Sequence, residues 1–334
     1  MIKKILEYSR FPLTPLNINT MKGYSKPLHK NTLLNIAKFM YNEIPIRLSK
    51  CYYELSQLPF TPYVNSVSKL YENSFDDITS QYYPKTYDDC VLLSNTLLNI
   101  KDRHNKVQLN LSKGIQQWKS ENKYIDYNIN HFLDKFYMSR IGIRTIMGQY
   151  IGLVRDNENI IKDCYPKKIL DTALYDAINI CEMTYGDSPD IIVNGNDDFH
   201  FVYIPSHLYY IIFELCKNSL RATMELAEIN HTKPNNIHIY ISEGKEDLIV
   251  KISDKGGGFP RNKINDVFQY SYTTVENDLI PTNQPCIAGF GYGLPLSKLY
   301  ANYFHGDLMI IPYEGIGTDA LVFINRLGDK VEMI

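Results

Sequence analysis

Long stretches in the first half of the chain repeat apolar residues every three or four positions. HKNTLLNIAKFMYNEIPIRLSKCYYEL, DDCVLLSNTLLNIKDRHNKVQLNLSKGIQQWK and INHFLDKFYMSRIGIRTIMGQYIGL, all between residues 28 and 155, keep that spacing with polar residues between. Such a period lines the apolar side chains along one stripe of an α-helix. In the third stretch the stripe is Phe132, Phe136, Ile143, Ile146, Met147 and Tyr150. Proline-containing breaks at LPFTPY and QYYPKTYDD interrupt the series. The pattern predicts several long helices with short polar connections, a four-helix-type, up-and-down bundle.

Around 156–168 (DNENIIKDCYPKK) the periodicity fades, which predicts a linker. ILDTALYDAINICEMTYG then reads as a helix stopped at Gly186. Short β-rich runs follow: DIIVNG, FHFVYIP, NIHIYISEG, DLIVKISD, DLMIIPY and DALVFINRL. NIHIYIS and DLIVKIS alternate with a period of two around a glycine-containing turn, a hairpin signal. Strands mixed with helices make the second half an α/β sandwich. The fold class is thus α + α/β, with a helical domain over 1–160 and an α/β domain over 161–334.

Composition changes this picture little. A chain of 334 residues has room for two domains, and 44% hydrophobic with 22% charged residues suits packed cores. A formal charge of −2 offers no broad basis for binding nucleic acid. Six cysteines at 51, 90, 164, 181, 216 and 286 lie too far apart for a zinc-type pair. They fit reduced, buried thiols in a reducing compartment. No apolar run approaches the ~20 residues of a membrane span. The start, MIKKILEYSR, is basic without the apolar core of a secretory signal, and it fits either a mature start or the remnant of an organelle-targeting segment.

Three elements of the second half carry candidate chemistry. In ELCKNSLRAT, residues 214–223, Glu214 and Asn218 are four apart and share a helix face, with Lys217 and Arg221 about one turn away. SDKGGGFP, residues 253–260, follows the strand DLIVKI. AGFGYGLPLSKLY, residues 288–300, opens a helix. Taken singly, the Glu/Asn pair reads as a solvated helix face and the Asp-Gly-Gly-Gly run as a turn. Glycines before a helix free backbone N–H groups to cradle phosphate, but GFGYGL is not GxGxxG and no short βαβ unit surrounds it. Together they supply an amide and a carboxylate for a metal and a base, an Asp for an amino group, and amides for phosphates. ATP with Mg2+ needs that combination.

The order of these elements resembles the N box and the two glycine boxes of the Bergerat-fold ATPases, which include histidine kinases, Hsp90 chaperones, type II topoisomerases and mismatch-repair ATPases. More narrowly, VYIPSHLYYIIFELCKNSLRATME, ISDKGGGFP, SYTT, GFGYGLPLSKLYANYFHGDL and EGIGTDA resemble the mitochondrial α-keto acid dehydrogenase kinases. EIPIRL, DRHNKV and FLDKFYMSRIGIR are similar to that family's helical domain, so the resemblance spans residues 5–325.

The resemblance implies a serine kinase that inactivates the E1α subunit of the pyruvate dehydrogenase complex, with the branched-chain complex as the alternative substrate. It makes Glu214 the general base, Asn218 the Mg2+ ligand, and Lys217 and Arg221 phosphate neighbours. Asp254 matches the acid that accepts the adenine amino group, with Gly256 and Gly258 beside the base. Thr273 and Thr274 match a nucleotide-contacting pair. Gly289, Phe290, Gly291, Tyr292, Gly293 and Leu294 match the phosphate end of a lid, the intervening ENDLIPTNQPCI being its mobile part, and Thr318 lies near adenine. His104, in DRHNK, matches a histidine that reaches toward the base; a sensor-kinase reading would make it a phosphoacceptor instead. A chaperone-like or repair-like ATPase would use Glu214 on water, but lacks a bundle carrying DRHNKV and FYMSRIGIR. Family membership further implies the mitochondrial matrix, a lipoyl domain of E2 as partner to the helical domain, and a homodimer through the ATP-domain sheet. The chain closes with NRLGDKVEMI, where animal pyruvate dehydrogenase kinases carry a long tail, a departure that sets tail-mediated contacts apart from the rest of the likeness.

Overall fold

The computed structural model describes residues 1–23, 29–122, 129–156, 159–272 and 291–333. They form two compact units, Met1–Ile161 and Lys162–Met333.

The first unit is helical. Two short helices, α1 (Ile2–Tyr8) and α2 (Ile18–Lys22), precede α3 (Lys30–Ser56), α4 (Pro62–Thr79), α5 (Tyr87–Arg103), α6 (Val107–Glu121) and α7 (Ile129–Ile151). The prolines and hydroxyls at the predicted breaks set the helix starts. Pro62 occupies the first turn of α4, and the Thr61 side chain accepts from the Val64 N–H. At α5 a capping box pairs Thr86 with Asp89. α3 packs on α4 and α7, and α4 also lies against α6. The α4–α6 crossing is close because residue 114 is glycine: a Cβ there would meet Thr61 Oγ1 at 2.7 Å. On α7 the seam runs through Ile129, Leu133, Phe136, Ile143, Ile146, Met147 and Tyr150; Phe132 is only half-buried, and Leu133 stands in the seam in its place.

In the second unit β1 (Lys162–Cys164) pairs antiparallel with β3 (Phe201–Tyr203). β1 falls in the segment expected to be a linker; three residues, two of them charged, are too short to show a strand period. Helix α8 (Pro166–Tyr185) ends at Gly186, whose φ of 77° is left-handed. A five-stranded sheet has the order β2-β4-β5-β7-β6, with β2 (Ile191–Asn194), β4 (Ile237–Glu243), β5 (Asp247–Ser253), β6 (Asp307–Tyr313) and β7 (Gly317–Asn325). β2 runs parallel to β4 and the other neighbours are antiparallel, the β4–β5 hairpin among them. Helix α9 (Pro205–Asn230) lies between α8 and α10 (Gly293–Asn302) and also touches β5, while α10 rests on β6 and β7. One sheet face, with Leu248, Val250, Ile252, Leu308, Val322 and Ile324, is thereby buried. The fold is a helical bundle followed by an α/β sandwich, as the hydrophobic pattern implies. Among the described residues no helix is long and apolar enough to cross a membrane. Cys51, Cys90, Cys164, Cys181 and Cys216 are buried free thiols, and Cys286 lies outside the described residues.

One buried charge pair ties the amino-terminal segment to α3. Glu43 Oε1 accepts from Arg47 Nε at 2.9 Å and from the Thr14 N–H at 3.1 Å, and Arg47 donates to the Thr14 carbonyl at 3.0 Å. Removing one member of a buried pair strands the other charge in a low dielectric. Arg47→Met is therefore expected to destabilise the helical unit by about 3–5 kcal/mol, and Glu43→Met added to it should restore much of that loss. Denaturant unfolding followed by Trp118, the chain's single tryptophan and part of α6, reads both variants. A single variant as stable as the native chain would contradict this account.

Candidate active site

α9 is packed on most of its circumference: Leu208, Ile211, Ile212, Leu215, Leu220, Met224 and Ala227 are all buried. Among the side chains left less than fully buried are Glu214, Asn218, Arg221 and Ala222, which follow one another at helical spacing and all line one cavity in the second unit. The apolar packing thus holds the polar stripe rigid. Glu214 Oε1 lies 3.2 Å from Lys217 Nζ, and the same ammonium sits 5.1 Å from the Phe213 ring centroid. Arg221 pairs with Glu225 at 3.4 Å. The Asn218 amide makes no hydrogen bond among the described residues, which leaves an oxygen donor one turn from a carboxylate.

Asp254, just past the end of β5, lines the same cavity and lies against α9. Its carboxylate is buried and takes three hydrogen bonds from three parts of the chain. Oδ1 accepts from the Gly256 N–H at 3.0 Å and the Thr318 N–H at 3.1 Å, and Oδ2 accepts from Ser219 Oγ at 3.0 Å. Burial pushes its pKa above the usual carboxylate range, with the Asp319 charge adding to that push, while the three donors oppose it.

The glycine run after Asp254 has a local cause. Gly257 and Gly258 have φ of 84° and 59°. A Cβ on Gly256 would strike Ala222 and the Thr223 N–H of α9, and one on Gly258 would strike the Gly317 carbonyl at 2.5 Å. Both glycines therefore let protein segments close on one another; neither lines the cavity, where the resemblance had set them beside a base. Thr318, Gly291, Gly293 and Leu294 do line it. A Cβ on Gly293, the first residue of α10, would run into Glu214 Oε2, so the carboxylate abuts a helix N-terminus. Tyr292 is buried away from the cavity, its ring 5.1 Å from that of Tyr270. Thr273, Thr274, Gly289, Phe290 and the stretch 276–287 lie outside the described residues.

Several cavity residues escaped the sequence reading. Ala222 continues the Glu214–Asn218 stripe and was accessible to a helical count. Ser219 was not, since its role comes from meeting Asp254. Phe259, Val267, Tyr272, Ile310 and Ala320 form apolar walls from loops and strands with no shared local pattern.

His104 belongs to the first unit. It is 4% exposed, with Nε2 2.9 Å from Ser74 Oγ and 3.3 Å from the Leu70 carbonyl, and its ring lies against Tyr71. Burial, and next the Arg140 charge, push its pKa down to about 3, so the ring is neutral near pH 7.

The cavity therefore offers a fixed acceptor, a carboxylate, an amide and a helix N-terminus along one lining. An anion with an amino-bearing ring fits that layout. Comparison with known proteins agrees with it. Residues 15–175 match the family model for mitochondrial branched-chain α-ketoacid dehydrogenase kinase, and residues 203–327 match that for the histidine kinase-, DNA gyrase B- and HSP90-like ATPases. The chain is 40% identical over 248 residues to the mitochondrial pyruvate dehydrogenase (acetyl-transferring) kinase of Arabidopsis thaliana, covering 70% of this chain and 68% of that one. It is 38% identical over 255 residues to isozyme 3 of that kinase from Mus musculus (71% and 61% of the two chains), and 39% over 253 residues to the Schizosaccharomyces pombe kinase (71% and 60%). The alignments thus span between 60% and 68% of these relatives' own lengths. With Glu214 and Asn218 sharing one cavity with a buried Asp254, and with these similarities along both units, the chain belongs to the mitochondrial α-keto acid dehydrogenase kinase family, within the Bergerat-fold ATPases.

Proposed function

We propose that the protein is a serine kinase that transfers the γ-phosphoryl group of ATP to the E1α subunit of the pyruvate dehydrogenase complex and so inactivates it. The observation that carries this reading is the one cavity lined by Glu214 and Asn218 of α9 together with Asp254. The kinases whose names specify pyruvate dehydrogenase support that substrate over the branched-chain complex, which remains the second reading because the model matched by residues 15–175 bears its name.

In this reading Asp254 accepts a hydrogen bond from the adenine amino group, and Thr318 borders the ring. The triphosphate runs toward the N-terminus of α10, with Lys217 and Arg221 near its charge. The donor set fits Mg2+: a hard cation takes oxygen ligands, and the Asn218 amide oxygen is the one to hold it. Bound there, the ion neutralises phosphate charge. Glu214 takes the proton from the substrate serine as that hydroxyl oxygen bonds to the γ-phosphorus, and the bond to ADP breaks. Lys217 orients the Glu214 carboxylate from 3.2 Å.

The domain over 1–160 serves in this reading as the regulatory half that engages the lipoyl domain of E2, and 161–334 as the kinase domain. The compartment is the mitochondrial matrix. In this reading His104 is not a phosphoacceptor, a role its burial opposes. Two chains pair through the open sheet face, where Ile192, Tyr240, Met309 and Tyr313 are exposed. Light scattering at micromolar concentration should give about twice the 38.8 kDa chain mass; a single-chain mass would remove the dimer from the proposal.

Asp254→Asn is expected to cut ATP affinity by roughly 10- to 100-fold, the loss of a charge-assisted hydrogen bond of about 1.5–3 kcal/mol. Calorimetric titration measures it, and native-like ATP binding by that variant would count against the adenine end of the site.

Glu214→Gln keeps size and a carbonyl but cannot accept the serine proton. Labelled-ATP assays with E1 of each complex should show phosphorylation reduced about 10²–10⁴-fold with ATP affinity nearly unchanged. Near-native serine transfer, or label appearing on His104 alone, would overturn the assignment of Glu214 as base.

A further inference from the structure

Ser219 lies inside the stretch ELCKNSLRAT, where the family resemblance gives it no role, yet it makes the only side-chain hydrogen bond to Asp254 among the described residues. Its hydroxyl is buried, on the residue directly after Asn218. A carboxylate has about four acceptor directions, two on each oxygen. On Asp254, Oδ1 is filled by the Gly256 and Thr318 N–H groups, and Ser219 fills one direction on Oδ2. A single acceptor direction is left for a ligand.

From this geometry we infer that Ser219 is a positioning residue that sets base specificity: it keeps Asp254 a charged, one-acceptor group that takes a 6-amino purine and rejects a 6-oxo purine. The inference rests on the nucleotide reading of the site. A guanine presents its carbonyl oxygen where adenine presents N–H, and two acceptors facing one another in a buried site repel. Rejection holds only while the carboxylate is ionised. Burial favours the neutral acid, and Asp319 on β7 pushes the same way, though Lys251 of β5 holds that carboxylate at 2.8 Å. From α9, Lys217 and Arg221 line the same cavity but are paired with Glu214 and Glu225. Against burial stand the three donors, of which Ser219 is the one a side-chain change can remove.

The sign follows from linkage. Hydrogen bonds donated to a carboxylate favour its charged form, so deleting one raises the pH at which the acid becomes neutral. Binding that needs the charged acceptor is complete above that range and lost as pH falls through it. Once protonated, Oδ2 can donate, which suits a 6-oxo group.

The test compares Ser219→Ala and Ser219→Cys with the native full-length chain, titrating ATP and GTP by calorimetry from neutral to mildly acidic pH, with thermal midpoints alongside. Expected for Ser219→Ala are ATP affinity lower by on the order of tenfold at neutral pH, an acid limb displaced to higher pH, and a smaller ATP-to-GTP ratio as pH falls. Ser219→Cys, a weaker donor of similar size, should fall between. A purely structural role would lower the thermal midpoint and leave both the acid limb and the ATP-to-GTP ratio native, and that result overturns the inference. Superimposable profiles for all three chains also overturn it. A native chain that binds neither nucleotide sinks the nucleotide reading itself, and this inference with it.

Discussion

The site depends on one buried carboxylate. Asp254 draws together the α9 hydroxyl of Ser219, the loop N–H of Gly256 and the β7 N–H of Thr318. Its own backbone N–H also donates to the Thr318 carbonyl, so the chain end of β5 is held to β7 from both directions. A buried charge is costly unless its acceptors are satisfied, and here each donor comes from a different element. The position of α9 over the sheet is therefore coupled to the ionisation of a single side chain. The same helix carries Glu214 and Asn218, so the Ser219 bond also fixes where Asp254 stands relative to them.

Backbone approach makes that arrangement possible. Gly256 allows α9 to come within a Cβ's reach of the loop, and Gly258, in a left-handed conformation, lets the loop pass the β6–β7 turn. At Gly293 the absence of a side chain leaves room for the Glu214 carboxylate at the start of α10. The glycines act here through sterics between protein segments, and the cavity is the space their closeness encloses. Apolar walls from Phe259, Val267, Ile310 and Ala320 then lower the dielectric around its few polar groups, which strengthens each electrostatic contact.

The helical unit shows the same economy of buried charge. Glu43 and Arg47 satisfy one another and the Thr14 backbone, while burial keeps His104 neutral beside Ser74 and the Leu70 carbonyl. Arg140 donates to the His104 carbonyl at 2.8 Å, so the turn between α5 and α6 is anchored to α7 by its backbone. Pairing, neutralisation and backbone capture are three solutions to the desolvation of polar groups inside a bundle.

Much of this was legible in the sequence because it is local. Helical spacing and hairpin alternation follow from covalent geometry, so the bundle, the helix ending at Gly186 and the β4–β5 pair could be read directly. The pairing of Glu214 with Asn218 on one face is a property of a helix alone. Motif resemblance added the order of the chemical elements. Three things needed the tertiary structure. β1 exists only because β3 is there to pair with it. Leu133 rather than Phe132 joins the α7 seam because the packing partners, not the spacing, choose between adjacent positions. Ser219 gains its role from Asp254, thirty-five residues away along the chain. A hydrogen bond between distant residues leaves no period in the sequence; it is decided when α9 settles on the sheet and a buried carboxylate requires a donor.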